Sequence, residues 1–373
     1  MSEILSELLK GFTSFTWGNA LMMAIGGILI ALAIVKEYEP VLLLPIGFGC
    51  LLANLPLTGM NEAGGIFNLF YEAGISTELL PLLIFIGVGA MIDFSPLLSQ
   101  PHLVLLGAAG QFGIYGTLLL ATLIGFPLNE AASIGVIGAI DGPTSIFVTT
   151  QLAPHLLAPV AVAAYSYMSL VPIIQPPLMR MLTTRKERRI RMEYTPRPVS
   201  RRARVLFPIL VTLVIGLLVP KAAPLIAMLM LGNLLRESLV VERLSKSAQN
   251  EIANISTLFL GVTIGSTMNA SSFLNVDTLL ILAMGLLAFG LDTVAGLLFG
   301  KAMSAVTRGK INPLLGAAGI SAFPMAGRVV AKMAQEEDYD NYLLMHAMGA
   351  NTAGQLGSVV AGGALLVLVN IFG

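Results

Sequence analysis

Of 373 residues, 56% are hydrophobic and only 11% charged, against roughly one quarter charged in an average soluble domain, so the chain reads as a polytopic membrane protein. A formal net charge of zero gives no basis for nucleic-acid binding. The single Cys50 excludes an intramolecular disulfide, and three scattered histidines (His102, His155, His346) without HExxH or a Cys/His cluster argue against a catalytic transition-metal centre.

Residues 1–17 place Ile4, Leu5, Leu8, Leu9 and Phe12 on one helical stripe, with Glu3, Glu7 and Lys10 elsewhere. This pattern predicts an interfacial amphipathic helix rather than a cleaved leader. Apolar segments follow at about 19–36, 40–58, 80–92, 102–126, 130–153 and 157–180. A basic loop over 182–203 intervenes, and the apolar pattern returns at about 205–219, 222–236, 253–268, 275–302, 312–334 and 341–372. The pieces 80–92 and 253–268 are short for a membrane span.

The two halves, 18–181 and 204–373, repeat one another. Gly135-x-x-Gly138-x-x-x-x-Pro143 returns as Gly316-x-x-Gly319-x-x-x-x-Pro324, each inside an apolar stretch interrupted by polar residues. Pro45 and Asn54 match Pro224 and Asn233, nine residues apart in both halves. Phe85-Ile86-Gly87-Val88 matches Phe259-Leu260-Gly261-Val262, Asp93-x-Ser95 matches Asn269-x-Ser271, and Gln111 matches Asp292. Segments 130–153 and 312–334 break at their prolines and are expected to form re-entrant helical hairpins, a backbone shape tolerated at that depth only inside protein or beside a cavity. Ten of the 21 Lys and Arg residues lie between Arg180 and Arg204, which makes the loop 182–203 cytoplasmic. Five spans per half is an odd number, so the two copies insert in opposite directions and their hairpin tips can meet near the midplane. The expected fold is an all-α polytopic membrane protein of two inverted-topology repeats, each with about five transmembrane helices and one hairpin.

Intramembrane polar residues mark the candidate site. Asp141, at the first hairpin break, can ligate Na⁺ with freed carbonyls, while Thr144, Ser145, Asn351 and Thr352 supply neutral oxygens. An Asp that merely caps the second arm is the alternative. Asn351-Thr352-Ala353-Gly354-Gln355 interrupts the last apolar segment and is either a ligand cluster or polar glue between helices. Tyr165 and Tyr167 cannot share a helix face; Tyr167 is the one expected at the site, as a proton relay, with an interfacial tyrosine as the alternative. Asn312, Ser321 and Arg328 lie on the second hairpin, where Arg328 either holds a carboxylate bidentately or snorkels to headgroups. Asp292 and Gln111 are expected to make a polar scaffold contact, and Asp93 and Asn269 to cap short spans. No Walker A motif points to ATP as the driving force.

Three long motifs resemble the β subunit of sodium-pumping, biotin-dependent decarboxylases. They are Gly138-Ala139-Ile140-Asp141-Gly142-Pro143-Thr144, the run from Tyr165 through Ser166-Tyr167-Met168-Ser169-Leu170 to Pro172 and Gln175-Pro176-Pro177, and Lys310-Ile311-Asn312-Pro313-Leu314-Leu315-Gly316-Ala317-Ala318-Gly319-Ile320-Ser321. The resemblance covers nearly the whole chain. It implies a carboxybiotin decarboxylase embedded in a Na⁺ channel of a bacterial inner membrane. A carboxyltransferase α subunit would load carboxybiotin onto a biotin carrier subunit, with a small membrane γ/δ subunit alongside and the β chains assembled as a trimer. It further implies Asp141 and Asn351 as Na⁺ ligands, with Tyr167, Asn312, Gly316, Ser321 and Arg328 as other functional positions. Tyr167 or Ser321 would pass a proton inward and Arg328 would position the carboxylate. The chain is short for an oxaloacetate-type β subunit, which favours an acyl-CoA decarboxylating complex. Competing readings are a stand-alone Na⁺/carboxylate transporter, which would need no biotinylated partner, and a non-catalytic membrane anchor.

Overall fold

A computed structural model describes residues 9–193 and 198–373; residues 1–8, the first half of the expected interfacial helix, lie outside them. The described residues are helix and loop, without a strand. The principal helices are α1 (Trp17–Val35), α2 (Pro40–Ala53), α3 (Leu79–Met91), α4 (Val104–Ala109), α5 (Phe112–Ile124), α6 (Leu128–Gly135) and α7 (Gly142–Leu152). After these come α8 (Leu157–Leu182), α9 (Arg201–Leu218), α10 (Ala223–Ser238), α11 (Ala253–Ser266), α12 (Val276–Val306), α13 (Met325–Glu337) and α14 (Leu344–Phe372).

Among the described residues, five helical segments are long and apolar enough to cross a membrane: Trp17–Val35, Pro101–Ile124, Pro154–Leu182, Val276–Val306 and Leu344–Phe372. A sixth arises if Ile66–Ser76 and Leu79–Met91, bent by 57° at their junction, count as one span. Other apolar stretches make shorter helices. A helix of 14 residues, such as α2 or α11, reaches about 21 Å, less than a bilayer core of roughly 30 Å.

These short helices pair across the two halves. The closest packing joins α2 to α11 and α3 to α10. Asn54, ending α2, donates to the Met268 carbonyl beyond α11 at 2.7 Å, and Asn233 on α10 donates to the Ile92 carbonyl beyond α3 at 2.9 Å. Backbone approach is tight at both crossings. A Cβ at Gly89 would stand 1.8 Å from the Leu229 carbonyl oxygen, and one at Gly265 would stand 2.1 Å from that of Ile46. Small residues at such crossings are how helices associate where lipid offers no hydrophobic driving force. Asp93 accepts from the Ser95 N–H at 2.8 Å and the Ser271 hydroxyl donates to Asn269 at 2.7 Å, local turns just past the ends of α3 and α11.

The span expected over 102–126 is broken at Gly110 and Gln111, between α4 and α5. Glycine at the break removes the side chain that would clash, since a Cβ at Gly110 would lie 2.2 Å from the Gly319 carbonyl oxygen. Gln111 and Asp292 both make polar scaffold contacts, with different partners. Gln111 donates to the Gly107 and Gly354 carbonyls (3.1 and 3.2 Å), whereas Asp292 accepts from the Gly113 N–H.

The basic loop folds back onto the end of α13. Arg188, nearly buried, pairs with Glu337 at 2.7 Å; Arg185 reaches the same carboxylate at 3.0 Å, and Arg191 pairs with Asp338 at 2.6 Å. Arg180 pairs with Glu336 at 3.0 Å. Asn312 and Asn341 donate to the Arg188 and Ile190 carbonyls at 2.8–3.2 Å, so the loop is stitched to both ends of the second hairpin. The Arg188 hydrogen bond holds the Glu337 carboxyl below the usual carboxylate range, and Arg191 does the same for Asp338. Because these folded-state values are depressed, their stabilisation is complete above about pH 4.3 and is lost as pH falls through the lowered range. Amide protection factors across 184–191, corrected for the intrinsic pH dependence of exchange, are expected to hold from neutral pH down to that point and then fall, while those in α12 do not change.

Candidate functional site

The first hairpin is built from α6, a 3₁₀ turn over Val136–Ala139, and α7. The break lies at Ile140, in the left-handed region (φ +52°), and at Asp141 in extended backbone, not at Pro143. Pro143 sits in the first turn of α7, where its missing N–H would have had no intrahelical acceptor. The second hairpin has a 3₁₀ first arm, Pro313–Gly319, in place of the expected α-helix, then an extended Ile320 and α13 after Pro324. Gly316 permits this arm to lie on α12: a Cβ there would stand 1.8 Å from the Gly296 carbonyl oxygen. Gln175, between the prolines of α8, donates to Ala317 of the same arm at 2.8 Å.

The two tips touch. The Ser321 N–H donates to the Ala139 carbonyl at 3.3 Å, and the Ser321 hydroxyl donates to the Gly354 carbonyl of α14 at 2.8 Å. The middle of α14 thereby serves both hairpins. Asn351, fully buried, donates to the Ile320 carbonyl of the second tip at 2.7 Å. One and two turns further on, Gln355 and Ser358 donate to Asp141 Oδ2 at 2.8 and 2.9 Å. Asn351, Gln355 and Ser358 recur at i, i+4 and i+7 and so lie on one helix face. Thr144 completes the cluster with a 2.6 Å hydrogen bond to the same carboxylate oxygen.

Asp141 is only 5% exposed, and among the described residues no lysine or arginine forms an ion pair with it. The side-chain carbonyl of Asn351 is buried without a hydrogen-bond partner. A buried carboxylate ringed by neutral hydroxyl and amide groups, with an acceptor oxygen left over one helical turn away, is chemistry suited to a hard monovalent cation. Ser145 and Thr352 spend their hydroxyl protons on main-chain carbonyls, of Asp141 at 2.9 Å and of Gly349 at 2.9 Å, which leaves their oxygen lone pairs free.

Other expected site residues lie around this centre at varying distance. Tyr167 belongs to the apolar cluster that includes Ile140, Ile320 and Ala322, and its hydroxyl donates to the Leu282 carbonyl of α12. Tyr165 is the tyrosine beside Asp141's neighbour: its ring packs on Gly142, and its buried hydroxyl has no partner. Asn312, fully buried, is occupied by the basic loop and by the Leu314 N–H at 3.0 Å. Arg328 is exposed on α13, outside the buried cluster, one turn before the exposed Lys332. Gln355 lies in the Asn351–Gln355 run read as a candidate ligand cluster, without an assigned role, whereas Ser358 is absent from the sequence reading; helical spacing from Asn351 is the signal that finds it.

The family model for the Na⁺-transporting oxaloacetate decarboxylase beta subunit matches residues 18–369. The chain belongs to this family. It is 53% identical over 360 residues to the glutaconyl-CoA decarboxylase subunit beta of Acidaminococcus fermentans, with 96% of each chain covered. It is equally similar, 53% over 361 residues, to the methylmalonyl-CoA decarboxylase subunit beta of Veillonella parvula, covering 97% of this chain and 96% of that one. Oxaloacetate decarboxylase beta chain 2 of Salmonella typhi is 45% identical over 430 residues, with 98% of this chain and 99% of the relative covered. As a β subunit of the Na⁺-transporting decarboxylases, the protein is a multi-pass membrane member of an enzyme complex, and its family implicates Na⁺ as the transported ion.

Proposed function

We propose that this β subunit removes CO₂ from carboxybiotin presented by a partner carrier and couples that step, with consumption of a proton, to Na⁺ export across a bacterial inner membrane. One observation carries the reading: Asp141 Oδ2 is held jointly by the first hairpin and α14, at the level where the two hairpin tips are hydrogen-bonded. Na⁺ binds at Asp141, with Asn351 and the oxygens of Thr144, Ser145 and Thr352 completing the ligand set. The reciprocal bonds of Asn54 and Asn233 support reading the two halves as inverted repeats, in which small rotations of one half move both tips at once.

The chemistry needs little from the protein beyond positioning and a proton. When the N–CO₂ bond of carboxybiotin breaks, the electron pair stays on the ureido nitrogen, and a proton must join it. Ser321, at the tip contact, or Tyr167, in the apolar wall beside it, delivers that proton. Arg328, exposed in the first turn of α13, holds the carboxylate bidentately, and the basic loop 182–203 at the other end of that helix lies in the cytoplasm. Proton arrival neutralises Asp141 and releases Na⁺ to the other side. The partners are a carboxyltransferase α subunit, a biotin carrier and a small γ/δ membrane subunit, with the β chains as a trimer. The relatives at 53% identity are β subunits of glutaconyl-CoA and methylmalonyl-CoA decarboxylases, and we assign this chain to an acyl-CoA decarboxylating complex.

Inside-out vesicles containing the complex test the reading. Addition of the acyl-CoA substrate is expected to drive ²²Na⁺ uptake that avidin abolishes. Uptake of Na⁺ with an organic carboxylate, insensitive to avidin, would instead identify a stand-alone transporter.

A further inference from the structure

A second buried carboxylate lies outside the site described above. Asp292 stands at the centre of α12 and is fully buried. One oxygen, Oδ1, accepts from the backbone N–H of Gly113; the other, Oδ2, has no hydrogen-bond partner. Gly113 belongs to the first turn of α5, just past the break at Gly110 and Gln111, where N–H groups lack an acceptor in their own helix. Space exists for the carboxylate only because residue 113 is glycine. A Cβ there would stand 2.6 Å from Asp292 Cγ and 2.4 Å from the Ala288 carbonyl oxygen.

Both hairpins touch α12 within one turn of this residue. In the first, a Cβ at Gly138 would lie 3.1 Å from Gly113 C and 3.2 Å from Ala288 Cβ; in the second, Gly316 packs on Gly296. Ala288 and Gly296 are one turn before and one turn after Asp292. The carboxylate therefore sits between the points where each hairpin bears on the same helix.

Among the described residues, no counter-charge faces it. The titratable residue of α5 is Tyr115, and α4 and both 3₁₀ arms carry none. On α8, Tyr165 packs on Gly142, Tyr167 is given to Leu282, and Arg180 is paired with Glu336. On α6, Glu130 is bonded to His155. On α12 itself, Asp277 is in the first turn and Lys301 is drawn to Leu182 and Glu187 near the other end. An ionised carboxylate with one oxygen unpaired in such a place is strongly disfavoured unless a cation joins it. Buried oxygens of Gln111, Thr117 and Thr293 also lack partners on these elements, but no second carboxylate does, and with Oδ1 already taken by the Gly113 N–H the lone Oδ2 is matched by a single proton. A proton on Oδ2 leaves the Gly113 bond to Oδ1 intact.

We propose that Asp292 is a second ion-binding group of the pump, a proton-holding carboxyl separate from the Na⁺ ligands. This rests on the decarboxylase reading above. Each carboxybiotin cleaved takes up one proton at nitrogen as CO₂ departs. Asp292 yields a proton when the hairpins shift against α12 and regains one from the side that receives Na⁺.

Infrared spectra of the whole complex in proteoliposomes, with ¹³C-aspartate labelling and no substrate, test the site whether or not the complex pumps. At neutral pH the wild type is expected to show the C=O stretch of a protonated aspartate that is absent in Asp292→Asn and retained in Asp141→Asn. During turnover, Asp292→Asn is expected to lose at least tenfold in rate and all dependence on the pH of the receiving compartment, with its Na⁺ half-saturation unchanged. Three results would each overturn the proposal: no such band in the wild type, a band that persists in Asp292→Asn, or a raised Na⁺ half-saturation with the pH profile intact. If Asp292→Asn fails to assemble, the wild-type and Asp141→Asn spectra still decide, because loss of the band in Asp141→Asn assigns it to the Na⁺ site. Absence of ²²Na⁺ uptake by the wild type would count against the pump reading alone.

Discussion

Asp141→Asn is expected to abolish Na⁺-dependent decarboxylation while leaving the chain folded and the complex assembled. Asparagine keeps the volume of the side chain and one carbonyl oxygen, so Thr144, Gln355 and Ser358 retain an acceptor in place of Oδ2. What disappears is the negative charge, the one strong attraction for Na⁺ among neutral oxygens. Removing even the outer partners of a metal site typically weakens it by about 10- to 100-fold, and loss of the charged ligand itself should exceed the upper figure. Thermal stability is not expected to fall, since a neutral amide in this dry pocket removes a buried charge. A variant that turns over normally at low Na⁺ would remove Asp141 from the mechanism.

The second large effect concerns the residue beside it. Gly142→Ala would place a Cβ 1.9 Å from Cε1 and 2.2 Å from Cζ of Tyr165. That ring is 2% exposed and rigid, so either it or the Asp141–Gly142 backbone must move. Overpacking of this kind costs about 1–3 kcal/mol, and a shift near 1 Å at a reacting centre can lower turnover by about 100-fold. The expected outcome is a folded complex with turnover reduced by that order. Tyr165→Leu in the Gly142→Ala background should restore a good part of it by vacating the space. Gly290→Ala, whose Cβ meets nothing within 4 Å on α12, should be silent in turnover and neutral or slightly stabilising. Equal loss in both glycine variants would mean that hairpin position is not what the first one disturbs.

Much of this site was legible because the polar residues stand out against apolar surroundings. Asp141 and Asn351 are conspicuous when nearly every neighbour is Gly, Ala, Ile or Val, and the duplicated Gly/Pro pattern marked both hairpins. The exact arms were harder to see. Ile140 adopts a left-handed conformation that a β-branched residue ordinarily avoids, so local propensity pointed to the proline instead. Pro313–Gly319 reads as helix by hydropathy, yet close packing against α12 tightens it into 3₁₀. Helical spacing puts Gln355 and Ser358 on the face of Asn351, but that this face meets Asp141 follows from α14 crossing the first hairpin, 214 and 217 residues away in sequence. The clamp of Arg188 and Arg191 on Glu337 and Asp338 escaped for the same reason. A basic loop announced its side of the membrane, but the acidic residues that receive it lie across the second hairpin. Several expected spans are helices shorter than a bilayer core, and these pair with one another across the two halves.

The most direct measurement is equilibrium binding of ²²Na⁺ to the purified complex without substrate, comparing wild type, Asp141→Asn and Asp292→Asn. Saturable binding is expected in the wild type and Asp292→Asn, with none in Asp141→Asn. Saturable binding of the same affinity in Asp141→Asn would contradict Na⁺ ligation by Asp141.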